Sequence, residues 1–145
     1  MTSAPCIAEM VPHAGAMVLL DKVVAWDAND ILCRTSSHLR PDNPLRRDGV
    51  LSATASCEYA AQAAAVHGAL NEGVVSRGFL AALKDFQLFV DDLAEIRTPI
   101  LVSATRLMAD PAALIYGFRL YGDAPDGAEI AAGRLTVKLL EPEVP

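Results

Sequence analysis

Residues 52–68 read Ser-Ala-Thr-Ala-Ser-Cys-Glu-Tyr-Ala-Ala-Gln-Ala-Ala-Ala-Val-His-Gly. The run predicts one helix that is small and apolar almost all round. Ser52 suits its N-cap and Gly68 its C-terminal stop. A helix with so little polar surface is normally enclosed by the rest of its domain. Its alanines allow a sheet to curl closely around it. Glu58 and Gln62 stand out against this background. A carboxylate on an enclosed helix must be paired, protonated or chemically employed, because burying a bare charge is costly.

The flanking sequence supplies strands. Residues 16–26 alternate with apolar side chains on both faces, which predicts a buried strand. Asp27 to Asp30 form a turn, and Ile31 to Ser37 a returning strand. Pro41 to Gly49 read as a polar loop bracketed by prolines. After the helix, Phe79 to Val90 is strand-like with a central kink, and residues 99–108 alternate again. Leu114, Tyr116, Phe118 and Leu120 share a face of the next strand. Gly122 to Gly127 is a turn. The last strand has Ala131, Leu135, Val137 and Leu139 on one face and Arg134, Thr136 and Lys138 on the other. The expected fold class is α+β, with a curved antiparallel sheet round one central helix in a single domain spanning residues 1–145.

Bulk properties narrow the function. The 145 residues carry a net charge of −6, which argues against nucleic acid or an anionic membrane as the main partner. Cys6, Cys33 and Cys57 are odd in number and lack metal-ligand spacing, so reduced thiols in a cytoplasmic protein are expected. The N-terminus shows no signal-peptide pattern, and no apolar run is long enough to span a bilayer. Histidine and cysteine spacing supports no metal site. A phosphate loop and a serine-nucleophile elbow are absent. Met17, Phe79, Phe86 and Phe89 are read as core or tunnel wall.

Two stretches, in this order around the helix, carry a resemblance. Val11-Pro-His-Ala-Gly-Ala-Met-Val-Leu-Leu-Asp21 and Cys57-Glu-Tyr-Ala-Ala-Gln62 are similar to the opening and central-helix motifs of the β-hydroxyacyl-ACP dehydratases. These are hotdog-fold proteins. The chain most resembles their divergent 3-hydroxyacyl-ACP dehydratase-like branch, associated with aryl-polyene and related lipid pathways. The resemblance implies β-elimination of water from 3-hydroxyacyl chains on an acyl carrier protein. No separate cofactor is implied, since the phosphopantetheine arm belongs to the substrate. It also implies a dimer of hotdog subunits with sites between them. One departure is marked. The family places its catalytic histidine in the loop before the helix, where this chain has Asn43-Pro-Leu-Arg-Arg-Asp-Gly49 and no histidine.

Dehydration needs a base, an acid and donors for the thioester oxygen. Glu58 carries over as the acid, and burial should raise its pKa. Gln62 lies about 40° further round the helix, so it could orient that carboxyl. Backbone N–H groups near Ala53 and Thr54, at the helix start, are the expected oxyanion donors, and Met17 an acyl contact. Among candidate bases, His13 sits in the Pro-His motif that lines the family's acyl tunnel. His38 lies beside the loop, and His67 lies about 180° from Glu58. Arg40, Arg46 and Arg47 form the expected docking patch for an acidic carrier protein. Three readings stay open: a dehydratase, a non-catalytic acyl-binding or accessory subunit that completes a related dehydratase's site as a heterodimer, and, less favoured, an acyl thioesterase.

Overall fold

The computed structural model describes residues 7, 10, 15–73 and 78–140. Six strands and one long helix follow in the order β1 (Lys22–Trp26), β2 (Asp30–Thr35), α1 (Ser56–Glu72), β3 (Gly78–Leu88), β4 (Ile100–Ala109), β5 (Ala113–Gly122) and β6 (Glu129–Leu139). All pairings are antiparallel, in one sheet of order β1-β2-β4-β5-β6-β3. The sheet packs on α1 through β2, β4, β5 and β6. This is the hotdog arrangement: a curved sheet wrapped round one helix.

Helix α1 buries most of its circumference. Tyr59, Ala60, Ala63, Ala64, Val66 and His67 are almost wholly enclosed. It starts through a single 3-10 turn at Ala53–Ala55, capped by the Ser52 side chain. Gly68 does not end it. The helix continues one further turn, and Gly73 at φ 74° takes the left-handed cap, its N–H bonded to Ala69 O at 2.8 Å. Ala69-Leu-Asn-Glu72 are adequate helix formers, and the Asn71 side chain bonds back to His67 O. A glycine alone does not stop a helix whose next turn is this well supported.

The strand expected over residues 16–26 is corrected in two ways. Regular pairing begins only at Lys22, and residues 15–17 form a 3-10 turn. Leu19 and Leu20 are both buried because the chain here is not pleated. The buried Gln62 amide holds it instead: Leu19 N–H donates to Oε1 at 2.9 Å, and Nε2 donates to Met17 O at 2.6 Å. Strand β1 is also a sheet edge rather than a buried strand, with Val24 and Trp26 nearly half exposed.

Strand β3 forms the other edge. Its expected kink is present as bulges at Leu80/Ala82 and Lys84/Gln87, with Asp85 at φ 53°. Gly133 on β6 permits the close approach, since a Cβ there would lie 3.2 Å from Phe86 Cα and 3.3 Å from Lys84 O. Phe86 packs on Phe118 at 5.9 Å, but Phe79 and Phe89 are about half exposed, so Phe89 is surface rather than core.

The Gln62 clamp gives a stability test. Gln62→Leu keeps the bulk but strands the Leu19 N–H and the Met17 carbonyl. Each unsatisfied buried group costs about 1–3 kcal/mol. Denaturant unfolding should show a loss of roughly 2–4 kcal/mol with α1 intact by circular dichroism.

Candidate active site

A groove of about 830 Å³ runs along one side of α1. Glu58, Ala61, Ala65, Gly68 and Glu72 form its helical wall, a stripe of mostly small side chains. The opposite wall comes from Gly78, Phe79 and Leu80 of β3, Leu114 of β5, and Val137 and Leu139 of β6. Arg106, Asp110 and Pro111 lie at the β4–β5 end. Gly78 is required there, because a Cβ would fall 2.8 Å from Lys138 O.

Glu58 is half-buried on this wall, not sealed in the core. It has no hydrogen-bond or ionic partner among the described residues. Gln62 also borders the groove, but both ends of its amide are engaged by the 17–19 backbone. The helix repeat thus places the pair on neighbouring faces, while the amide of Gln62 turns to a segment 43 residues away. Met17 is half-buried and enters this arrangement through its carbonyl.

The expected oxyanion donors at the helix start are already bonded. Ala53 N–H donates to Asp91 O at 2.8 Å, Thr54 N–H to Ser52 Oγ at 3.3 Å, and Ala55 N–H to Ser52 O at 2.9 Å. Ala53 and Thr54 therefore present no free N–H, contrary to the expectation from the helix terminus. The isolated bridge between Ser52 and Asp92 explains this, since it ties the 3-10 turn to the loop after β3.

His13 and its Pro-His motif lie outside the described residues. The other two histidines are fully buried and away from the groove. His38 Nε2 sits 2.8 Å from Ile96 O and 3.1 Å from Thr98 O. His67 Nε2 sits 2.8 Å from Asp27 O, and its Nδ1 2.7 Å from Tyr116 Oη. A carbonyl only accepts, so His67 Nε2 carries the proton. Nδ1 of the neutral ring then accepts the Tyr116 hydroxyl proton. Tyr116 Oη in turn accepts from Arg106 Nε at 3.2 Å. This buried relay was not legible in the sequence, because its members come from α1, β4, β5 and the turn after β1.

The loop that lacks the family's histidine is fixed by another network. Asn43 Nδ2 donates to Ser37 O at 2.9 Å and to Tyr59 Oη at 3.1 Å, and Tyr59 Oη lies 2.7 Å from Ser37 Oγ. At the loop tip, Asp48 and Gly49 both take positive φ in a tight turn between Arg47 and Val50. The expected basic patch is largely internal. Arg40 donates to Val18 O, and Arg46 to Arg40 O and His38 O. Arg47 remains exposed.

Cys33 and Cys57 are free thiols, and burial pushes that of Cys33 up to about 12. No group of three or more metal-ligating side chains occurs among the described residues. No described helix is long and apolar enough to cross a membrane.

Burial holds both described histidines below the ordinary imidazole range. As pH falls below about 6.5, the unfolded chain gains protons that the folded chain resists, so stability drops with falling pH. The acidic shift at Asp27 acts below this window. Urea unfolding should be nearly flat between about pH 7 and 8 and weaken from about 6.5 toward 5. His67→Gln should flatten that slope, and an unchanged slope would contradict the assignment.

The comparisons agree with this architecture. A family model for ApeP-like proteins, described as ApeP dehydratase, matches residues 5–143. No curated protein matches the chain in sequence. Among solved structures, the dehydratase heterocomplex ApeI:P from Xenorhabdus doucetiae is similar, with a TM-score of 0.81 at 20% identity over 96% of this chain and 93% of that one. Zebra fish thioesterase superfamily member 2 superposes with a TM-score of 0.65 at 18% identity, over 92% and 91% of the two chains. A thioesterase from Haemophilus influenzae gives 0.57 at 14%, over 83% and 78%. The match over residues 5–143 places the chain in the ApeP-like dehydratase family, as a dehydratase-like protein of hotdog fold.

Proposed function

We propose that this chain supplies the acyl groove and the Glu58 carboxylate for dehydrating 3-hydroxyacyl chains on an acyl carrier protein, as one half of a site shared with a related hotdog subunit. One observation carries the reading. The groove runs past a half-buried, unpartnered carboxylate, while both described histidines are engaged in buried bonds elsewhere.

The chemistry follows from those positions. Glu58 donates a proton to the departing 3-hydroxyl, which leaves as water. A base on the partner takes the proton next to the thioester, and the electron pair closes the new double bond. Donors for the thioester oxygen also come from the partner's side, since the N–H groups of Ala53, Thr54 and Ala55 are occupied. The phosphopantetheine arm brings the thioester to the groove mouth. Exposed Arg47 is the remaining cation of the loop toward an acidic carrier.

The sheet edge supports a paired assembly. Among the described residues β3 pairs only with β6, so its outer edge has no partner strand there, and Phe79, Leu83, Leu88 and Phe89 are exposed. An open apolar edge is a hazard unless covered. Gly78, Phe79 and Leu80 belong both to this edge strand and to the groove wall, so a subunit docked there borders the site. The Xenorhabdus doucetiae dehydratase is a heterocomplex, which supports pairing with a related protein. The thioesterases among the structural neighbours favour a second reading, hydrolysis of the thioester, for which a helix carboxylate also serves.

Incubation with 3-hydroxyacyl carrier protein tests these readings. The purified chain alone should be nearly inactive, since lacking a general base costs roughly 3–5 kcal/mol of transition-state stabilisation. Adding the related subunit should restore 2-enoyl product and give a heterodimer in sedimentation, with an interface above roughly 1,000 Å². Full activity of the chain alone, abolished by His13→Ala, would instead establish a self-sufficient homodimer. Free acid as the product would establish a thioesterase.

The carboxylate is tested separately. In the active assembly, Glu58→Gln should cut turnover about 10²–10⁴-fold with the fold retained. Unchanged turnover would remove Glu58 from the mechanism.

A further inference from the structure

Neither backbone conformation nor packing accounts for the glycine at position 68. Gly68 does not end α1, which runs on to Glu72. It sits inside the helix, and a Cβ there would meet no atom within 4 Å beyond its own stretch of helix. Every other glycine of the chain either takes positive φ or faces an atom that a Cβ would meet. Glycine in a helix interior is destabilising relative to alanine, so local preference also runs against it.

Its place in the groove does account for it. Gly68 is half-buried and borders the groove with Glu58, Ala61, Ala65 and Glu72. Spacings of three and four residues keep these positions on one face of α1. A side chain at position 68 would therefore enter the groove rather than the core. Gly68 lies ten residues beyond Glu58, about 15 Å along the helix axis. An extended chain of single bonds advances roughly 1.2 Å per bond, so about 12 bonds separate the two positions. The facing walls are apolar, with Leu80, Leu114 and Val137. Gln62 also borders the groove, but its amide is engaged by the backbone of Met17 and Leu19.

We propose that Gly68 is the position that sets substrate length: its missing side chain keeps the groove open along the distal part of α1, so that long acyl chains pass it. The inference rests on the acyl-groove reading above and adds the length class of the substrate. With carbon 3 of the acyl group at Glu58, the chain comes level with Gly68 near about carbon 15. Shorter chains stop before that point and are indifferent to what stands there. A longer side chain at position 68 would lean over the preceding helical turn and close the groove to the end of a long chain. Gly68 acts by leaving space and takes no part in the proton transfers.

Direct binding tests this without turnover. The probes are S-octanoyl and S-hexadecanoyl pantetheine, titrated calorimetrically into the full chain below their micellar concentrations. Each buried methylene is worth about fourfold in affinity, so the wild-type chain should hold the hexadecanoyl probe at least about 100-fold more tightly. Gly68→Leu should keep octanoyl affinity within about twofold and weaken the hexadecanoyl probe about 10–100-fold. Gly68→Ala should raise the Tm by about 1–4 °C, since the added Cβ meets open space. A wild-type chain that gains nothing from octanoyl to hexadecanoyl overturns the length role and leaves the groove reading standing. A folded Gly68→Leu chain that weakens both probes equally, or neither, also overturns it; equal weakening would put the pantetheine arm rather than the acyl chain at Gly68. A lower Tm for Gly68→Ala, or a Gly68→Leu chain that fails to fold, overturns it too, because packing would then exclude the side chain. Failure of both probes to bind overturns the acyl-groove reading itself, and the length role with it.

Discussion

The structure depends on enclosing a helix that has no polar face. Alanines allow β2, β4, β5 and β6 to approach α1 closely, and the sheet must curl to follow it. Among the described residues, Glu58, Ala61, Ala65, Gly68 and Glu72 form a less enclosed stripe that lines the groove. Small side chains there leave a channel where larger ones would have filled the space. The packing requirement and the groove are thus two consequences of the same composition.

Several polar groups inside this enclosure bind backbone far along the chain. Gln62 pins residues 17–19, His38 pins the segment Ile96–Thr98, and His67 pins the turn after β1. Tyr59 and Asn43 fix the loop before the helix. Such bonds act as rigid connectors, because an unmade buried bond costs more than a made one contributes. They also leave few groups free for chemistry. Along the groove, Glu58 stands unpartnered among the described residues.

Assembly completes the picture. The β3 edge, unpaired among the described residues, shares Gly78, Phe79 and Leu80 with the groove, so covering the edge and finishing the site are a single event in the proposed heterocomplex. The ApeP-like family match and the similarity to a dehydratase heterocomplex fit a chain whose described part holds a carboxylate but no histidine in its groove.

The sequence by itself determined the helix, the strand order along the chain and the turn signals, because periodicity and local backbone preference are near-neighbour properties. It put Glu58 and Gln62 one turn apart and His67 on another face for the same reason. What it could not contain were partners far along the chain. Gln62 bonds a segment 43 residues away, and His67 meets Tyr116 at a separation of 49. The helix end passed Gly68 for Gly73 because support from the following turn outweighed one residue's preference. The strand expected at 16–26 looked buried, yet β1 is a sheet edge, since sheet order is set by long-range pairing. The helix start looked like a donor site until the Ser52–Asp92 bridge and the Asp91 carbonyl closed it. Tertiary structure alone decided which polar groups were satisfied, and therefore which remained available to a ligand.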